Sequence, residues 1–257
     1  MLTIPTPPPG HVSAITITTP DLERSFAFYR QLGFTELMRM DMPFAFIQIT
    51  DGALLIMLRK DPVPYIALTY YVLDLTKRVT ELEAAGIAFV ETPKPGAFVR
   101  KYVLRSPDGM NISFVDNGMG GFTQPEGKSM LTMAPQDYSN PEKYTNKVCG
   151  MFGEFACPVK DLDVSIAFWE KLGFQVLSKM ASPYPWAILS DGIAVVGLHQ
   201  TEQFSAPRIT FFAMDMKEKI AALKAGGLEE LKETENVSSV TITTPEKQSI
   251  NLFKLGM

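Results

Sequence analysis

Apolar and polar residues alternate with period two over residues 14–19, Ile15 and Ile17 against Thr16 and Thr18. Alternation of this kind predicts a half-buried strand. The period then lengthens: Leu22, Phe26, Tyr29 and Leu32 recur at helical spacing behind an N-cap carboxylate, Asp21. Gly33 is placed to end that helix as a left-handed C′ residue. Strand-like runs follow at 35–40, 44–50 and 53–58, the last two joined by an Asp51-Gly52 turn. After Pro64 the order restarts, with a strand over 66–73, a helix over 76–86, and strands over 87–90, 99–104 and 111–115. Pro107-Asp108-Gly109 forms the turn before the last of these.

The pattern occurs twice. Asp21-Leu22, Ser25, Ala27-Phe28-Tyr29 and Leu32-Gly33-Phe34 recur 140 positions later as Asp161-Leu162, Ser165, Ala167-Phe168-Trp169 and Leu172-Gly173-Phe174. The same offset pairs Met40 with Met180, Phe46 with Trp186, and Asp51-Gly52 with Asp191-Gly192. Further along, Asp74 corresponds to Asp215 and Pro107-Asp108 to Pro245-Glu246, small drifts that loop-length changes produce. Residues 118–149 are rich in Gly, Pro, Ser, Asn and Met, a linker composition. The expected organisation is a first domain over 11–117, a linker over 118–149 and a second domain over 150–257. Each domain contains two βαβββ units, an α+β fold with mixed sheets.

A strand, then Asp-Leu-x-x-Ser-x-x-Phe-Tyr/Trp-x-x-Leu-Gly-Phe, then a Pro-Asp-Gly turn before a final strand, resembles the vicinal oxygen chelate superfamily. That group includes glyoxalases, extradiol dioxygenases and bleomycin-resistance proteins. The resemblance implies tandem glyoxalase-like domains, each with a curved sheet around a cleft. It also implies where metal ligands stand in the metal-dependent members: on the first and last strand of each unit, usually as His, Glu or Gln. Placed by that pattern, the positions here hold Ala14, Ala67 and Ser113 in the first copy. In the second they hold Glu154, Arg208 and Asn251, and the fourth-strand places hold Met57 in the first copy and Gly197 in the second.

Composition sharpens this reading. The chain has two histidines, His11 and His199, and neither falls at a ligand place. Arginine stays protonated and cannot ligate a metal, and a facial triad needs two imidazoles and a carboxylate. No metal and no cofactor are therefore expected. The two cysteines, Cys149 and Cys157, exclude paired-cysteine zinc sites and a disulfide framework, which with the lack of an apolar leader points to the cytoplasm. A net charge of −4 argues against a nucleic-acid partner, and no apolar run approaches membrane-spanning length. His199 reads as a surface or capping residue at a strand end.

The expected ligand-facing residues are Glu154, Arg208, Asn251, Tyr184, Trp186, Thr210, Phe212 and Phe253 in the second copy. In the first they are Phe46, Met57, Tyr71 and Tyr102, with Gln48 on the same strand as Phe46. Glu154 and Arg208 are expected to face each other as an ion pair in the metal's place. The function expected from these residues and the resemblance is metal-independent binding of a partly hydrophobic small molecule, as in bleomycin-resistance sequestration. No catalytic residue is assigned. The alternative is a glyoxalase-, lyase- or extradiol-dioxygenase-like metalloenzyme with a degenerate metal site in the second domain. A monomer whose two domains pair within the chain, or a homodimer, is the expected assembly.

Overall fold

The computed structural model describes residues 10–117, 121–228, 231–233 and 239–255. The first module comprises β1 (Val12–Thr19), α1 (Leu22–Gln31), β2 (Thr35–Met40), β3 (Phe46–Thr50) and β4 (Leu55–Lys60). The second comprises β5 (Ile66–Val72), α2 (Leu75–Ala84), β6 (Lys101–Arg105) and β7 (Asn111–Asp116). A short helix, α3 (Pro135–Tyr138), interrupts the connecting segment. The third module has β8 (Met151–Pro158), α4 (Leu162–Lys171), β9 (Gln175–Met180), β10 (Trp186–Ser190) and β11 (Val195–His199). The fourth has β12 (Arg208–Ala213), α5 (Met216–Ala225), β13 (Leu231–Glu233), β14 (Ser239–Thr243) and β15 (Ser249–Lys254). The strands form two mixed sheets, one of seven in the order β2-β3-β4-β1-β5-β7-β6 and one of eight in the order β13-β14-β15-β12-β8-β11-β10-β9. No helix among the described residues is long and apolar enough to cross a membrane.

Local chemistry explains the element boundaries. Asp21 and Asp161 accept from the third amide beyond them, those of Arg24 and Val164, at 3.0 Å each, and so cap α1 and α4. Gly33 and Gly173 follow with φ of 87° and 96°, where a Cβ would be strained. The buried stripe of α1 runs through Ser25, Phe28, Tyr29 and Leu32, with Phe26 at its edge. Two expectations shift. Asp51 Oδ1 takes the amides of Ala53 and Leu54 at 3.0 and 2.8 Å, so the turn is wider than a two-residue hairpin and β4 starts at Leu55. The strand expected at 87–90 reduces to one bridge, Glu91 with Val103, beside a stretch broken by Pro93 and Pro95.

The chain divides into two compact units, each drawing one module from each sequence copy. The first unit contains the described part of Met1–Ile15 with Ile66–Gln124 and Cys157–Ser205. The second contains Thr16–Tyr65, Pro125–Ala156 and the described part of Ala206–Met257. Within each unit the repeated motif serines find a purpose. Ser165 donates to Asp108 Oδ2 at 2.5 Å in the first unit, and Ser25 donates to Glu246 in the second. Thus the serine of each Asp-Leu-x-x-Ser helix meets the acidic residue of a Pro-Asp or Pro-Glu turn from the other copy.

In the first unit, the Tyr70 hydroxyl donates to the fully buried Asp191 Oδ2 at 2.6 Å. Burial pushes the Asp191 carboxyl above its ordinary value of 3.8, while the tyrosine and three backbone amides, of Ala194, Ile193 and Asp191 itself, oppose that rise. Tyr70→Phe is expected to lower stability by about 1.5–3 kcal/mol at neutral pH, by removing a bond to a charged group. A carboxyl with a raised native pKa binds its proton more tightly folded than unfolded. Its stabilising contribution is complete below 3.8 and is lost as pH rises through the raised value. The deficit of Tyr70→Phe in urea melts should therefore shrink below pH 4, and an equal deficit at pH 7 and in acid would contradict this.

Candidate functional site

The second unit presents one polar rung across four strands. Thr210 on β12 pairs with Glu154 on β8, and on its other side with Asn251 on β15, which pairs with Thr241 on β14. Directly paired residues point to the same face of a sheet, so these four side chains form a row. The opposite face carries Phe211, Ile250 and Leu252, on the side where α5 packs. One rung along, Arg208 pairs with Ala156 and Ser249 and stands diagonal to Glu154 on the same face. Diagonal neighbours lie within reach of long side chains.

This row is buried although it is polar. Glu154 is 5% exposed, Thr210 1% and Asn251 4%, while Arg208 is half-buried. Thr241 Oγ1 donates to Asn251 Oδ1 at 3.0 Å. That bond occupies the carboxamide oxygen and orients the amide nitrogen as the donor end. On the far side of the row, Phe212 pairs with Phe253, and their rings stack with centroids 6.0 Å apart. The register with β8 shifts between Thr210 and Phe211, skipping Gly153. A Cβ on Gly153 would lie 2.3 Å from the Phe212 ring, so glycine is what lets that ring rest on the backbone.

Glu154, Arg208, Thr210, Asn251, Phe212 and Phe253 are thus brought together on one face. The remaining expected residues are placed elsewhere. Phe46 and Met57 are on β3 and β4 of the second unit, with Met57 directly opposite Gln48. Tyr184 and Trp186 belong to the first unit. There the Tyr184 hydroxyl is 3.3 Å from His199 Nδ1, and the Tyr184 and Phe204 rings flank the imidazole. His199 is therefore a half-buried aromatic-cluster residue rather than a surface cap. Tyr71 stacks on Phe122 with centroids 4.1 Å apart, also in the first unit. Tyr102 is corrected: it pairs with Phe114 and turns its ring to Phe89, on the face opposite Thr69, Tyr71 and Ser113. Thr241 carries no signal in the sequence, because its place in the row depends on a pairing that only the register reveals.

The positions where the resemblance places metal ligands hold few donors. Ala14 and Ala67 offer no donor, and Ser113 offers a hydroxyl alone. In the second copy Glu154 is the one anionic donor, Asn251 contributes a carboxamide, and Arg208 brings a fixed positive charge. Among the described residues no group of three or more His, Cys, Asp or Glu side chains could hold a metal ion. This set does not fit a divalent cation. Cys149 is fully buried, which pushes its thiol well above the ordinary range and removes it as a nucleophile. An open groove of about 440 Å3 lies elsewhere on the second unit, beside Gln31, Lys147 and Lys219. The Lys219 ammonium is already engaged there, by the Lys147 carbonyl at 2.6 Å and Asp215 at 3.5 Å.

Residues 10–114 match the family model of the Glyoxalase/Bleomycin resistance protein/Dioxygenase superfamily. No curated protein matches the chain in sequence. Among solved structures it is similar to the 2,3-dioxygenase LapB from Pseudomonas sp. KL28, at 16% identity and a TM-score of 0.59, over 95% of this chain and 91% of that one. Homoprotocatechuate 2,3-dioxygenase from Arthrobacter globiformis is similar at 18% identity and a TM-score of 0.59, over 98% and 82% of the two chains. An extradiol ring-cleaving dioxygenase from B. fuscum shows 18% identity and the same TM-score over 100% and 75%. Identities this low establish a shared fold.

Proposed function

We propose that the second unit binds a small, flat, anionic molecule without a metal. Glu154 and Arg208 hold each other as an ion pair. The guanidinium and the Asn251 amide receive the ligand's oxyanion, and the stacked Phe212 and Phe253 rings take its apolar part. The observation that supports this most is the placement of Arg208 diagonal to Glu154 on one face of the sheet, at positions where the resemblance implies metal ligands. A cation would meet a guanidinium there, whereas a carboxylate would meet complementary charge with fork geometry. Titration of 1-naphthoate into the chain in the presence of EDTA tests the reading. Saturable one-site binding that falls as salt rises supports it, and no binding overturns it.

A second reading has specific support. The similar solved structures are dioxygenases, which favours an enzyme of the extradiol type over sequestration of the bleomycin-resistance kind. On that reading Glu154 is one ligand of a degenerate metal site. Oxygen uptake with catechol after addition of Fe(II), abolished by Glu154→Gln, would establish it. Oxygen uptake no faster than in Fe(II) and catechol alone is the result the donor set leads us to expect.

A further inference from the structure

We infer that the first sequence copy carries a second, chemically different ligand site, centred on the Gln48 carboxamide and suited to an uncharged aromatic molecule bearing a carbonyl oxygen. Gln48 sits in the middle of β3 and is 3% exposed. Its Nε2 is shielded from water and has no hydrogen-bond partner among the described residues. Buried amide donors are nearly always satisfied, and leaving one unsatisfied costs free energy. The side chains directly across from it are Met38 on β2 and Met57 on β4, and thioethers are weak acceptors. Thr50, two residues along, has its hydroxyl committed: it donates to the Leu54 carbonyl at 2.8 Å and accepts from the Gly52 amide at 3.0 Å.

The duplication provides an internal control. The position 140 residues later is Ile188, buried on β10, and it pairs with Gly197 where the first copy has Met57. The same strand of the same fold is therefore built with an apolar residue in this place. The strand itself does not require an amide at position 48, and among the described residues that amide's donor has no acceptor.

The surroundings define that acceptor's carrier. Met38, Met57 and Phe46 share the face with Gln48, and the Phe44 ring lies 6.1 Å from Phe46. Methionine side chains adapt to flat apolar groups of varied outline. The charged residue of β2–β4 on this face is Arg59, opposite Phe46, and it is engaged by Asp61 at 3.2 Å and lies over the Tyr65 ring. An uncharged aryl ketone or quinone matches a wall of this kind, with its carbonyl accepting from Nε2. The second copy differs in the opposite sense, since its polarity lies on the central strands at Glu154 and Arg208.

The test uses the full 15N-labelled chain and 1-acetonaphthone, an uncharged aryl ketone. The Gln48 side-chain amide resonances, assigned by their loss in Gln48→Leu, should shift saturably as the ketone is added. Gln48→Leu should bind at least about ten-fold more weakly, the loss of one hydrogen bond, and should melt no lower than the parent protein. Saturating 1-naphthoate, the anionic probe, should leave the ketone titration unchanged, so this site and the anionic one stand or fall separately. Absence of a saturable shift up to the ketone's solubility overturns the inference. So does equal binding by Gln48→Leu, displacement by 1-naphthoate, or a lowered melting temperature, which would show that the amide has an internal role.

Discussion

Replacing Arg208 by glutamine is expected to weaken 1-naphthoate binding by roughly 30- to 1,000-fold, which corresponds to about 2–4 kcal/mol. Arg208 is half-buried on β12, where water screens its charge less than at an exposed site. Glutamine keeps a donor amide at similar length and removes the charge, so the loss measures charge recognition more than shape. The substitution also leaves Glu154 buried with its expected partner neutralised, and ligand binding should then compete with an uncompensated carboxylate. Lysine at the same position should recover only part of the affinity, because an ammonium cannot reproduce the two parallel bonds of a guanidinium fork. Isothermal titration of the three proteins at one salt concentration reads this directly. Equal affinity in Arg208→Gln and the parent would place the ligand elsewhere.

Gly150→Ala is expected to destabilise the chain by about 3 kcal/mol, from backbone strain and overpacking together. Gly150 has φ of 97°, a region that L side chains rarely adopt. An added Cβ would stand 2.5 Å from the Phe212 carbonyl oxygen and 2.9 Å from the Ala213 Cβ. Backbone atoms cannot turn aside as a flexible side chain can, so β8 and β12 must separate locally. Because Phe212 carries one ring of the proposed anionic site, weaker naphthoate binding should accompany the loss of stability. Gly10 occupies the corresponding place in the first copy, and a Cβ there would stand 2.9 Å from the Tyr70 Cβ. Close approach at the entry to the first strand is thus built into the repeat. A urea-melt deficit below about 0.5 kcal/mol would show that the strands relax more easily than their geometry implies.

Much of this architecture is legible in the sequence because its signals are local. Asp21, Asp161 and Gly33 act through residues within four positions, and their roles follow from capping chemistry alone. The positions where the resemblance places metal ligands are legible too, since that spacing counts along the chain. Features that depend on pairing are not. Tyr102 lies in a strand with apolar residues on both faces, Val103 on one and Leu104 on the other, so alternation could not fix its direction and the register with Phe114 does. Ser25 and Glu246 each recur in the repeat, yet only folding shows that the serine of one copy binds the turn of the other. Thr241 was hidden for the same reason, and so was the isolation of the Gln48 amide, which depends on what Met38 and Met57 fail to offer.

The most direct test of a metal-free anionic site is the metal stoichiometry of the protein together with its naphthoate affinity. The full chain is incubated in turn with Fe(II), Mn(II), Ni(II) and Zn(II), freed of unbound ion and measured by elemental analysis. Each sample is then titrated with 1-naphthoate alongside an EDTA-treated one. The expected result is less than one-tenth of an equivalent of any metal and a single affinity shared by all five samples. One equivalent of bound metal, lost in Glu154→Gln and required for naphthoate binding, would contradict it.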